Sequence, residues 1–244
     1  MSAPSMPSWL ANLDDLLRGK RTTRDRIAEG LVLPWQVHIP LVFLLGGAYG
    51  ASAGCFALVR TWGGPNAADG VKQLLAAMLK VPALFILTLI VTFPSLYVFN
   101  ALVGARLGFR ATLELLLASL VVTLAVAASL GPILVFFTLS TESYAFMVLL
   151  NVVLLAIAGI VGLAFLLKTL RKIADAAAMA GDVEGASGDT IFRVWIIIYG
   201  LVGVQMAWIL RPFIGHPAAP FGLFRDRQGS FFVGVIENLR QLVN

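Results

Sequence analysis

The chain has 244 residues, of which 59% are hydrophobic and 13% charged, against about 25% charged in an ordinary soluble domain. A net charge of +5 would fit nucleic acid in a soluble protein. In so apolar a chain it is read by membrane side instead, and no nucleic-acid partner is expected. The single cysteine, Cys55, excludes an internal disulfide framework and reads as a small packing residue.

The first 36 residues form a segment of their own. Trp9, Leu10, Leu13, Leu16 and Leu17 recur at helical spacing between Asp14, Asp15, Arg18, Lys20 and Arg21, so they predict a short amphipathic helix on the membrane surface. The order of charged and apolar residues is not that of a cleavable signal peptide. Arg24, Arg26 and Glu29 carry the charged stretch on towards Pro34.

Residues 37–210 read as a five-span transmembrane domain. The first span, 37–59, is bracketed by Trp35 and Trp62, about 40 Å apart along a helix, which suits two aromatic interface belts. Inside it Gly46, Gly50 and Gly54 repeat every four residues, with Ala51 and Ser52 nearby. They predict a bare stripe where another helix packs closely. His38 is expected at the interface.

A Gly/Pro turn at Gly63, Gly64 and Pro65 and a short amphipathic stretch lead to the second span, 81–103. Pro94 kinks it, and Thr88, Thr92 and Ser95 are placed to satisfy carbonyls that the proline frees. Asn100 lies near its far end. The return through Gly104, Arg106 and Gly108 brings Arg110 four residues ahead of Glu114, the spacing of a surface ion pair. The third span, 115–139, breaks at Gly131 and Pro132.

The fourth span, 144–167, holds no charge and one strongly polar side chain, Asn151. It is followed at once by Lys168, Arg171 and Lys172. KTLRKIADAAAMA predicts a helical extension into water, and GDVEGASGD a flexible linker. The fifth span, 194–210, is slightly short. Gln205 is expected to be buried in it, where Asn100, Asn151 and Gln205 hydrogen-bond between helices.

Residues 211–244 form an aromatic, proline- and arginine-rich cap followed by an amphipathic helix. Arg211, Phe213, Phe224, Arg225 and Arg227 are the expected contact residues, with the phenylalanines at the headgroup level and the arginines meeting phosphates or acidic side chains. From Phe231 to Val243, Phe232, Val235, Ile236, Leu239, Leu242 and Val243 share one face, opposite Glu237, Asn238 and Arg240.

Five spans with the N-terminus inside place Arg18, Lys20, Arg21, Arg24, Arg26, Arg106, Arg110, Lys168, Arg171, Lys172 and Arg193 on the cytoplasmic side. Seven remain outside: Arg60, Lys72, Lys80, Arg211, Arg225, Arg227 and Arg240. That bias favours a cytoplasmic N-terminus and an outer C-terminus.

VTFPSLYVFNALVGARLG, SLGPILVFFTLSTESYAFMVLLNVV, VGVQMAWILRPFIGHP and PFGLFRDRQGSFF together resemble a family of bacterial multipass membrane proteins of unknown function, some labelled actin-binding WASP-homology domain-containing proteins. The resemblance covers most of the chain from Leu79 onward and implies a bacterial inner-membrane location. LLRGKRTTRDRIAEGLVL is similar to a WASP-homology helix and its linker. It lacks the basic LKKT-type element and runs through Leu31, Val32, Leu33 and Pro34 into a span, so actin binding is not expected. The five-span topology is also similar to that of Yip-type trafficking proteins.

The sequence thus predicts an all-α polytopic bundle with surface helices at both ends and the lipid bilayer as its first partner. Its expected role is a non-enzymatic scaffold or assembly subunit, partnered by itself or another membrane protein. The alternative is a channel or transporter subunit whose path is lined by kinked helices 2 and 3, through Thr88, Thr92, Ser129 and Asn151. No catalytic group, metal ligand set or cofactor motif stands out.

Overall fold

The structure, a computed structural model, describes residues 8–18, 35–102, 109–179, 188–216, 219–224 and 231–243. Among the described residues it contains seven helices: α1 (Ser8–Leu17), α2 (Trp35–Thr61), α3 (Ala67–Leu102), α4 (Phe109–Ser140), α5 (Tyr144–Met179), α6 (Gly188–Leu210) and α7 (Phe231–Val243). Among the described residues there is no strand. Four helices are long and apolar enough to cross a bilayer, over Gln36–Thr61, Ala67–Ser95, Thr112–Ser140 and Tyr144–Lys172. A shorter apolar stretch covers Ile196–Leu210 of α6. The chain is an all-α, multipass integral membrane protein.

The helices pack in succession, α5 on α4, α4 on α2, α2 on α3 and α3 on α6, with smaller contacts between α3 and α4 and between α5 and α6; α7 touches α5 and α6, and α1 touches α4. Position in this series sets exposure. α5, at one end, buries Met147, Asn151, Leu154, Ala158 and Gly162 on one face. It leaves Val153, Ile157, Ile160 and Val161 exposed on the other, as a lipid-facing helix should.

The α2–α3 contact is built by the predicted glycines. A Cβ on Gly46 would stand 3.1 Å from the Pro82 ring, one on Gly50 2.7 Å from the Met78 Cα, and one on Gly54 2.6 Å from the Leu74 Cα. The two backbones meet where no side chain intervenes. On another face of α2, Ser52 fits the gap left by Gly131 of α4, where a Cβ would lie 2.7 Å from the serine Oγ.

Two expected interruptions differ in the structure. The turn after α2, closed by Gly63 at φ +75°, is short, and α3 begins at Ala67 instead of near Val81. The short amphipathic stretch expected before the second span is therefore the first part of a continuous helix. α3 and α4 also run unbroken through Pro94 and through Gly131 and Pro132. The hydroxyls near Pro94 do not cap Ile90. Thr88 Oγ1 donates to the Leu84 carbonyl at 2.7 Å, Thr92 Oγ1 to Thr88 at 2.7 Å, and Ser95 Oγ to Thr92 at 2.7 Å.

α5 continues to Met179, as the charged extension predicts. Residues 19–34, 103–108 and 180–187, which include the charged N-terminal stretch, Gly104, Arg106, Gly108 and most of the expected linker, lie outside the described residues.

Candidate functional site

Buried Thr61, Gln73, Lys80 and Thr138 lie toward one end of the bundle, where α2, α4 and α6 finish and α3 and α5 begin. Residues 211–216 and 219–224 fold back over this end as a cap. Part of their apolar surface is enclosed by protein: Pro212 is buried, Phe213 is 8% exposed and Ile214 3%, and the side chains of Phe213 and Ile214 join the main core. Placing Phe213 and Ile214 on the helix ends removes apolar surface that a free tail would leave in water.

Two side chains of α3 hold the cap's backbone. Gln73 Nε2 donates to the carbonyls of Pro212 at 3.0 Å and Phe213 at 3.3 Å. The Lys80 ammonium donates to the Pro212 carbonyl at 3.2 Å and to that of Leu223, and it lies 5.4 Å from the centroid of the Phe224 ring. Lys80 is 4% exposed, and among the described residues no carboxylate oxygen reaches its Nζ within salt-bridge distance. Its charge is met by carbonyl dipoles and a ring face, the arrangement that a buried cation needs when no acid is near.

Gln73 and Lys80 are seven residues apart, two turns of one helix, so both reach the same side. Sequence reasoning missed them as site residues. The signal available was their spacing on the polar side of an otherwise apolar helix start.

Further contacts seat the cap. Asp69 Oδ2 accepts from the Phe221 amide at 3.1 Å, while its Oδ1 accepts from Lys72 at 3.0 Å. Tyr144 Oη donates to the Ile214 carbonyl at 3.3 Å, and its ring lies 4.7 Å from that of His216. Arg211 stacks on Trp208 at 3.4 Å, and the other indole contact is Gly234 of α7, where a Cβ would be 2.6 Å from Cη2. Trp208 thus links the start of the cap to α7.

Between cap and helix ends a cleft of about 20 Å³ is lined by Thr61, Asp69, Gln73, Gly215, His216 and Phe221 among others, room for about one water.

A second polar tie lies beside the cap. Arg60 donates to the carbonyls of Thr138 at 3.2 Å and Thr141 at 2.6 Å and to Glu142 at 3.2 Å, fastening the α2 end to the α4–α5 turn.

Of the expected cap contacts, Arg211, Phe213 and Phe224 are brought together here, and Phe224 remains 53% exposed. Arg225 and Arg227 lie outside the described residues. Deeper in the bundle, Asn151 Oδ1 accepts from Tyr49 Oη at 2.9 Å, joining α5 to α2. The side chain of Asn100 lies outside the described residues. Gln205 is exposed, contrary to expectation, because the face of α6 that meets α3 carries Tyr199, Gly203, Met206 and Leu210 instead. His38, expected at the interface, is buried at 1% exposure. Arg110 and Glu114 pair at 3.0 Å, but the carboxylate is buried and only the arginine is at the surface.

Of the four side chains expected to line a path, Thr88, Thr92 and Asn151 are buried and Ser129 is exposed. Thr88 and Thr92 donate within α3, Ser129 is exposed and donates to the Val126 carbonyl at 2.7 Å, and Asn151 pairs with Tyr49. No family model, curated protein or solved structure matches the chain.

Proposed function

We propose that this protein is a non-enzymatic membrane scaffold or assembly subunit that works as a homo-oligomer in a bacterial inner membrane. In this reading α6 is a fifth span, the N-terminus is cytoplasmic and the cap faces outward. Its apolar part, Ile196–Leu210, amounts to about 22 Å of helix, so as a span it is short and draws on the preceding turns of the 23-residue helix.

The observation that carries the reading is the cap. The two buried side chains Lys80 and Gln73 at the bundle's end are engaged in holding the cap's backbone at Pro212, Phe213 and Leu223, and so are not free to bind a solute. Thr88, Thr92 and Asn151 are likewise engaged within the bundle, which supports a packed body over a conducting one. Broad apolar faces on α3, α5 and α6 remain for lipid and for neighbours.

The test is the mass of the purified complex in a mild detergent, corrected for bound detergent. A multiple of 26.1 kDa is expected. A monomer at every concentration, or solute flux in proteoliposomes, would overturn the reading.

A further inference from the structure

We infer that the exposed face of α6 binds a second copy of this chain, with Gln205 paired to its counterpart across a two-fold axis. The inference rests on the assembly reading above and names the surface that performs it. Gln205, Leu201 and Ile197 form one row at four-residue spacing. Leu201 is 55% exposed, Ile197 is 61% exposed and Gln205 is also exposed.

Five residues separate Gln205 from Leu210, so its Cα lies about 8 Å along the helix from the cap end. That depth is within the hydrocarbon if α6 spans. Among the described residues nothing hydrogen-bonds its amide, which is therefore left with two donors and an acceptor facing an apolar medium. Polar side chains in spans ordinarily face a partner helix.

The partner that fits is a copy of the same row. A carboxamide is self-complementary, its N–H donating to the other's carbonyl and the reverse, and a two-fold axis brings identical residues together. Leu201 and Ile197 would then pack against the facing row. Gly200, exposed and with nothing within 4 Å of its missing Cβ, leaves one flank open to close approach.

The experiment keeps Gln205 intact for the proximity measurement. In a Cys55→Ala background, Leu201→Cys is treated briefly with a short bis-maleimide in native membranes and again after purification. A product of twice 26.1 kDa is expected in both. Separately, Gln205→Leu in the otherwise natural chain should raise the concentration for half-dissociation at least tenfold, with an unchanged melting profile of the monomer.

An oligomeric wild type that gives no doubled product, a membrane product of another mass, or a Gln205→Leu variant that dissociates like wild type would overturn this interface and leave the assembly reading standing. A wild type that is monomeric throughout would remove both.

Discussion

Gly50 faces a backbone, and that decides what a substitution there does. A Cβ would meet the Met78 Cα at 2.7 Å, and no rotamer of a neighbour can relieve a clash with main chain. Gly50→Leu should therefore hold α2 and α3 apart and lower stability by roughly 1–3 kcal/mol or more. A lowered melting temperature of the detergent-solubilised protein is the readout, and a wild-type value would mean that the contact is dispensable.

Lys80 is a different kind of residue. Replacing it with methionine keeps the stem but leaves the carbonyls of Pro212 and Leu223 without this donor, at a cost of about 1–3 kcal/mol. The loss should appear locally, as faster protease cleavage within residues 215–224, with the rest of the bundle still folded.

At the scale of the element, sequence and structure agree where one helix suffices to decide. The apolar run from Tyr144 predicts α5, and the period of Phe231–Val243 predicts α7. The glycine row likewise marks a face that α3 occupies. They part where the outcome depends on a second element.

Whether Gln205 points inward depends on which side of α6 meets α3, and α6 has large apolar residues on both sides. Phe213 is compatible with headgroups or with a core, and only the shape of the helix ends selects the core. The roles of Gln73 and Lys80 were not legible for the same reason. Their partners lie 139 and 132 residues away and are backbone carbonyls, which leave no trace in side-chain patterns.

Gly234 offers a test at this scale. Its lack of a side chain lets α7 rest on Trp208, so Gly234→Leu should lift α7 off α6. Hydrogen exchange of amides 231–243 should speed up by an order of magnitude or more, while α2 and α3 remain protected. Unchanged protection of α7 would show that its contacts with α5 suffice.

For the whole molecule the arrangement is a set of apolar helices with polar ties and a cap at one end. Arg60 ties α2 to the α4–α5 turn, and the cap ties α6 to α2, α3 and α5. The five-span reading makes a direct prediction: a reporter active only outside the cytoplasm works when fused after Asn244 and fails when inserted beside Gly185. The reverse pair of results would invert the topology, and activity at both sites would discard it.

Lys80 also sets a clock on biogenesis. Its carbonyl partners follow it by 132 and 143 residues, so at translation rates of about 5–20 residues per second the lysine precedes them by on the order of ten seconds. During that interval the ammonium has only water and lipid headgroups to solvate it, which favours keeping the start of α3 near the membrane surface. Docking of 212–224 then lets that helix settle with its charge enclosed. Closure of the cap is thus a late event, open only to a chain whose last residues have been made and folded back onto the ends of the earlier helices.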